Sequence, residues 1–240
     1  MRRSIYMRIN FQFLFIPAFL ILLSSCTQEE FNLRTCSSPT MDGHTYEVVR
    51  IGEQCWFAEN LKTTEFSDGT PIPMVAPSAL ADMKVPGRVV DSNLPDHYNT
   101  FYNGWTLLTP KGVCPEGWKV PTANDYTDLH RYTRSVSNAL HSNVEGFEFC
   151  DPTDWNFSAT EGEFNKFGFN AQPSGIIDTA QDVSTLPLEP VAYFWTRLDR
   201  LLPGNITRMP LVFIDENRFH EACAAVEPEF GLCLRCILDE

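Results

Sequence analysis

Apolar positions along the chain fall into short runs split by polar stretches that carry proline or glycine, a pattern of many short strands and few helices. Residues 46–51 are rich in β-branched side chains and stop at Gly52-Glu53; Cys55-Trp56-Phe57 follows, and together they predict a hairpin. Residues 68–94 hold proline and glycine throughout, with a Met, Ala and Leu interlude at 79–83, and predict an irregular insertion. The period changes after Pro121. Tyr126, Leu129, Tyr132, Val136 and Leu140 recur at spacings of three or four, which predicts a helix from Thr122 to about Leu140 with those residues on its buried face. Thr122 suits the N-cap, and Asp125 suits the positive end of the helix. After a polar, acidic stretch at 142–163, residues 167–171, 191–196, 210–214 and 231–238 predict further strands. One well-marked helix among short strands and long loops makes the expected fold class α+β, irregular and loop-rich.

The opening of the chain follows a different logic. Arg2, Arg3 and Arg8 precede an apolar run at residues 11–23, broken only by Gln12 and Pro17. Those residues fall short of the roughly 20 that a helix needs to span a bilayer, so residues 1–25 read as a signal peptide. Leu23-Ser24-Ser25-Cys26 resembles the lipobox of bacterial lipoproteins. Cys26 is then the acylated first residue of the mature chain, and the membrane is a partner through those acyl chains. Glu29 and Glu30 just behind it resemble the surface-export signal of Bacteroidetes lipoproteins, which implies lipid anchoring in the outer membrane with exposure at the cell surface. Residues 26–40 read as a polar tether and residues 41–240 as the exported domain.

Composition changes the picture in two places. An apolar content of 43% is enough for a proper core in one domain, and the 18 phenylalanines make rings its main filling. Loss of Arg2, Arg3 and Arg8 with the signal peptide takes the formal charge from −13 to −16. A surface that acidic repels phosphate backbones, so nucleic acid is not an expected partner.

Beyond Cys26 the cysteines are Cys36, Cys55, Cys114, Cys150, Cys223, Cys233 and Cys236. An exported chain favours disulfides, and an odd number leaves at least one thiol without an internal partner. Cys233-Leu234-Arg235-Cys236 has CxxC spacing, but a zinc knuckle wants a second such pair. A redox motif would open a helix, whereas this run reads as a strand. Residues three apart on a strand face opposite ways, so the preferred reading is two separate structural disulfides.

The remaining chemistry is sparse. The carboxylate pairs Asp151/Asp154, Glu161/Glu163 and Asp215/Glu216 would serve glycoside hydrolysis only if each pair flanked a substrate; as loop charges they read as solvated. His44, His97, His130, His141 and His220 show no ligand spacing. No catalytic residue, metal site or cofactor is expected.

A set of ordered blocks carries a resemblance. DGHTY at residues 42–46 and IGEQCWFAENL at 51–61 are followed by YNTFYN at 98–103 and GVCPEGWKVPT at 112–122. GFNAQPSG at 168–175, YFWT at 193–196 and GLCLRC at 231–236 complete the series. Together they resemble the Fibrobacter succinogenes major paralogous domain family, found largely in surface and secreted proteins and without an established molecular function. The resemblance implies a C-type-lectin-like or formylglycine-generating-enzyme-like fold whose terminal strand returns beside the first. The family's recurrent cysteines fall on Cys114 and Cys236, which implies a disulfide between them. Cys55 and Cys233 stand where relatives tend to have Thr and Ser, and this matched gain implies a second bridge. The expected function is a non-catalytic surface module that binds glycan or protein; the alternatives are an extracellular enzyme on polysaccharide or protein and a structural subunit of a surface assembly.

Overall fold

A computed structural model describes residues 35–136, 165–178, 191–198, 207–215 and 219–239. Two short strands, β1 (Thr40–Met41) and β2 (His44–Thr45), pair across a turn in which Asp42 and Gly43 take positive φ. The Asp42 carboxylate pins that turn to the body by accepting from the Thr64 amide (2.8 Å) and hydroxyl (2.7 Å). The expected hairpin follows as β3 (Val48–Ile51) and β4 (Gln54–Phe57), with Val49 opposite Trp56 and Ile51 opposite Gln54.

The insertion at 68–94 contains a 3₁₀ helix, Pro77–Asp82, and a strand, β5 (Arg88–Val90). β6 (Thr100–Asn103) pairs with β5 and runs into a single helical turn, α1 (Gly104–Leu107). β7 (Trp118–Lys119) leads to α2 (Ala123–Val136), the one long helix among the described residues. β8 (Val191–Trp195), β9 (Met209–Asp215) and β10 (Phe219–Val226) form an antiparallel sheet in the order β10-β9-β8. The chain then supplies β11 (Gly231–Leu232) to the edge of β6 and β12 (Ile237–Leu238) to the middle of a sheet ordered β3-β4-β12-β7. The architecture is a mixed α+β fold, rich in strands, and its last strand lies between β4 and β7.

Alternation along these strands feeds two cores. In the four-stranded sheet Ile51, Trp56 and Ile237 turn toward α2 and join Tyr126, Leu129, Phe169 and Phe194. Cys55, Phe57 and Trp118 turn the other way and join Tyr46, Tyr102, Trp195 and Leu234. The same split holds in β6, where Phe101 belongs to the first core and Tyr102 to the second.

Helix α2 begins as expected, with reciprocal capping. The Thr122 hydroxyl accepts from the Asp125 amide (3.2 Å), and the Asp125 carboxylate accepts from the Thr122 amide (2.7 Å). Its buried face is not the predicted one. Tyr126 and Leu129 are buried, but the stripe continues through His130 and Thr133, while Tyr132 and Val136 stand exposed. Two successive steps of three fall behind a helix of 3.6 residues per turn, so a 126, 129, 132 series drifts off the core face. Leu140 lies outside the described residues.

The run at 167–171 is a turn and a single bridge rather than a strand, with Gly168 and Asn170 at positive φ. β10 escapes the sequence reading altogether, because Phe-His-Glu-Ala-Cys-Ala-Ala-Val lacks alternation and carries a single β-branched residue, Val226, at its end. It is held by register to β9, with a break in pairing between His220 and Ala224. The predicted terminal strand at 231–238 is two short strands belonging to different sheets, joined by a fully buried link at 233–236.

Two disulfides join the described residues. Cys114 bonds Cys236, tying the loop before β7 to the link before β12. Cys36 bonds Cys55, so the stretch read as tether is fastened to β4. The expected bridge from Cys55 to Cys233 does not form: Cys233 is a buried free thiol. The two residues point into different cores, Cys55 into the second and Cys233 into the first. Cys26 and Cys150 lie outside the described residues.

Candidate functional site

A cleft of about 490 Å³ opens between the β3–β4 turn, helix α2 and the end of β12. Ile51, Ile237 and Leu238 give it an apolar floor. One wall is the flank of α2, where Asp125, Asp128, Tyr132 and Ser135 recur every three or four residues beside the buried stripe. The other wall is Glu53 and Gln54 from the hairpin, and Lys119 of β7 borders it as well.

Local sequence explains the placement. Gly52 holds φ of 64°, which turns the chain sharply between β3 and β4. It also leaves room for the Tyr132 ring, since a β-carbon there would meet that ring at 2.8 Å. Tyr132 is therefore seated on the glycine with 42% of its surface exposed. The Gln54 side-chain amide donates to the backbone carbonyl of Asp125 (2.9 Å), fixing the hairpin to the first turn of the helix.

Each carboxylate of the cleft is already held. Asp125 caps its own helix and lies 3.9 Å from Lys119, whose ammonium is also 3.4 Å from Asp239. Asp128 pairs with Arg131 at 2.5 Å, and Glu53 with Arg50 at 3.5 Å. The exposed Asp128–Arg131 pair contributes little to stability, but together these pairs orient charged and hydrogen-bonding groups around an aromatic ring. Such an arrangement suits recognition of a ligand with apolar faces and polar edges.

Behind the cleft the sheet is locked by Arg235, a fully buried guanidinium. Its Nε donates to Asn60 Oδ1 (2.8 Å), one terminal nitrogen to the carbonyls of Phe57 (2.9 Å) and Phe169 (2.6 Å), and the other to the carbonyl of Asn170 (2.6 Å) and Gln172 Oε1 (3.2 Å). All five of its donors are engaged. The rings of Phe169 and Phe194 lie 4.7 Å and 5.4 Å from the guanidinium carbon. Burial pulls its pKa down to about 10, which leaves it charged at neutral pH. Burial likewise pushes the Cys233 thiol up to about 11, so it is protonated there and a poor nucleophile.

Of the residues singled out from sequence, the structure joins Cys114 to Cys236 and Asp215 to His220 and gathers no larger set among the described residues. Asp151, Asp154, Glu161, Glu163, Glu216 and His141 lie outside the described residues. Asp215 bonds His220 at 2.7 Å, and His44 bonds Glu59 at 3.0 Å. His130 is buried and stacked on Phe219, and His97 packs edge-on against Tyr98. Among the described residues no three metal-ligating side chains cluster. The cleft residues Gln54, Lys119 and Asp128 went unmarked and Tyr132 was assigned to the core, because they meet only in the folded chain.

A family model described as the Fibrobacter succinogenes major domain matches residues 49–237. No curated protein and no solved structure matches the chain.

Proposed function

The chain belongs to the Fibrobacter succinogenes major domain family, and from that premise we propose that it is a lipid-anchored, surface-displayed module that binds glycan without turning it over. The observation that carries this is the cleft beside α2. An exposed tyrosine sits over an apolar floor, ringed by an amide, carboxylates and cations that are already oriented by one another. Sugar rings offer an apolar face for stacking and hydroxyl edges for hydrogen bonds, which matches that lining. The terminal strand beside the first hairpin, and the Trp118-x-x-Pro121-Thr122 opening of α2, support the finer proposal of a lectin-like or formylglycine-generating-enzyme-like arrangement.

The test is a glycan array probed with detergent-solubilised full-length protein, beside a Tyr132→Ala variant. Loss of the stacking ring should weaken binding by about tenfold or more, equivalent to roughly 1.4 kcal/mol, with an unchanged melting temperature because the side chain is exposed. Equal binding by the variant would remove the cleft from the proposal.

The anchor is proposed at Cys26, with Glu29 and Glu30 directing display on the outer face of the outer membrane. No helix among the described residues is long and apolar enough to cross a membrane, so Cys26→Ala should shift the protein from the membrane pellet to the soluble fraction. A variant that still pellets after a high-salt wash would contradict the lipid anchor.

A further inference from the structure

Resting on the glycan reading above, we infer that the binding surface is an elongated groove that takes several consecutive units of a linear, neutral glycan, with Arg197 between its second and third subsites. The cleft beside α2 does not end at Lys119. That residue also lines a second cleft of about 410 Å³, bounded by the loop at 112–117 and Asp239. The second cleft shares Leu107, Thr109, Pro110 and Arg197 with a third of about 520 Å³, which reaches Leu198 and Met209. Three concavities, each sharing lining residues with the next, fit a chain of repeating units better than one terminal sugar.

Lys119 marks the junction between the first two. Its ammonium reaches to Asp125 on one side and Asp239 on the other, so a flexible side chain spans the floor where the clefts meet. Arg197 marks the second junction. Its backbone is fixed, the amide donating to the Pro121 carbonyl at 2.8 Å, while its side chain is exposed. Among the described residues its guanidinium has no carboxylate partner, so its donors are available to ligand oxygens.

Charge decides the class of polymer. The groove lining carries five carboxylates against three cations, Lys119, Arg131 and Arg197. An anionic chain laid along it would meet net repulsion, as it would over the acidic surface as a whole. Hydroxyls, by contrast, donate to carboxylates and accept from Arg197. The third cleft, with Leu107, Leu108 and Pro110, supplies apolar contact for sugar faces.

Titration calorimetry on the detergent-solubilised full-length protein tests this with cello-, xylo- and manno-oligosaccharides from disaccharide to hexasaccharide. Polygalacturonate fragments of matched length serve as the anionic arm. Affinity for a neutral series should rise about tenfold or more with length, and both Tyr132→Ala and Arg197→Ala should lower hexasaccharide affinity several-fold. A flat length dependence, or an Arg197→Ala variant that binds the hexasaccharide like the wild type, would confine recognition to the first cleft and overturn the groove while the glycan reading stands. Preference for polygalacturonate would overturn the neutral ligand. No binding in any arm would overturn the groove together with the glycan reading it rests on.

Discussion

Cys114→Ser should lower the melting temperature by roughly 10–20 °C, taking about 2–4 °C per kcal/mol for a domain of this size. The bond it removes joins residues separated by 122 positions, and on the chain-entropy account a loop of that order contributes about 4–5 kcal/mol by restricting the unfolded chain. Net stabilities are typically about 5–15 kcal/mol, so much of the margin goes with it. Both sulfurs are buried in the second core, which adds a packing loss when the bridge is broken. The Cys36–Cys55 bond spans only 19 positions, and its loss should cost less, about 3 kcal/mol on the same account. Thermal denaturation of the two single variants checks the order. A Cys114→Ser protein that melts within a few degrees of the oxidised wild type would show that packing, not the cross-link, holds the terminal link in place.

Arg235→Met should be comparably damaging. The substitution keeps an apolar stem among Phe169 and Phe194 but leaves five oxygen acceptors without their donor. Buried polar groups left unpaired cost about 1–3 kcal/mol each; allowing for relaxation and water entry, a total of at least about 4 kcal/mol is expected. Arg235→Lys should rescue little, because an ammonium has three donors on one point where this site needs a planar fork of five. Urea denaturation followed by tryptophan fluorescence measures both. A lysine variant as stable as the wild type would mean that charge, rather than the fork, is what the site requires.

The sequence disclosed what depends on neighbours along the chain and little of what depends on neighbours in space. The β3–β4 hairpin was legible because a β-branched run, a glycine and a second run follow one another directly. Helix α2 was legible for the same reason, together with its Thr122 and Asp125 cap. The face it buries was not, since Tyr132 is apolar enough to join a core and only Gly52, on another element, provides it with a seat outside. β10 was invisible because its alanines are committed to a strand by pairing with β9 rather than by their own preference. Cys36 was passed over as tether for want of any pattern around it; its partner is chosen by the face of β4 on which Cys55 lies. Arg235 looked like a charge interrupting an apolar run. Its burial follows from carbonyls contributed by residues 57, 169 and 170, which no local reading can assemble.

The Cys36–Cys55 bond also decides how the domain carries mechanical load. A protein anchored at one end and gripping a polymer is pulled between the two. With the bond in place, tension from the proposed anchor at Cys26 would pass through Cys36 directly into β4, bypassing the β1–β2 pair. β4 is an interior strand, flanked by β3 and β12, and the proposed groove is lined by β7 and β12 of that same sheet. Force would then cross one hydrogen-bonded sheet from anchor to ligand, with the Cys114–Cys236 staple resisting at its far side. In a reducing medium the path changes, and the amino-terminal strands become the weak link.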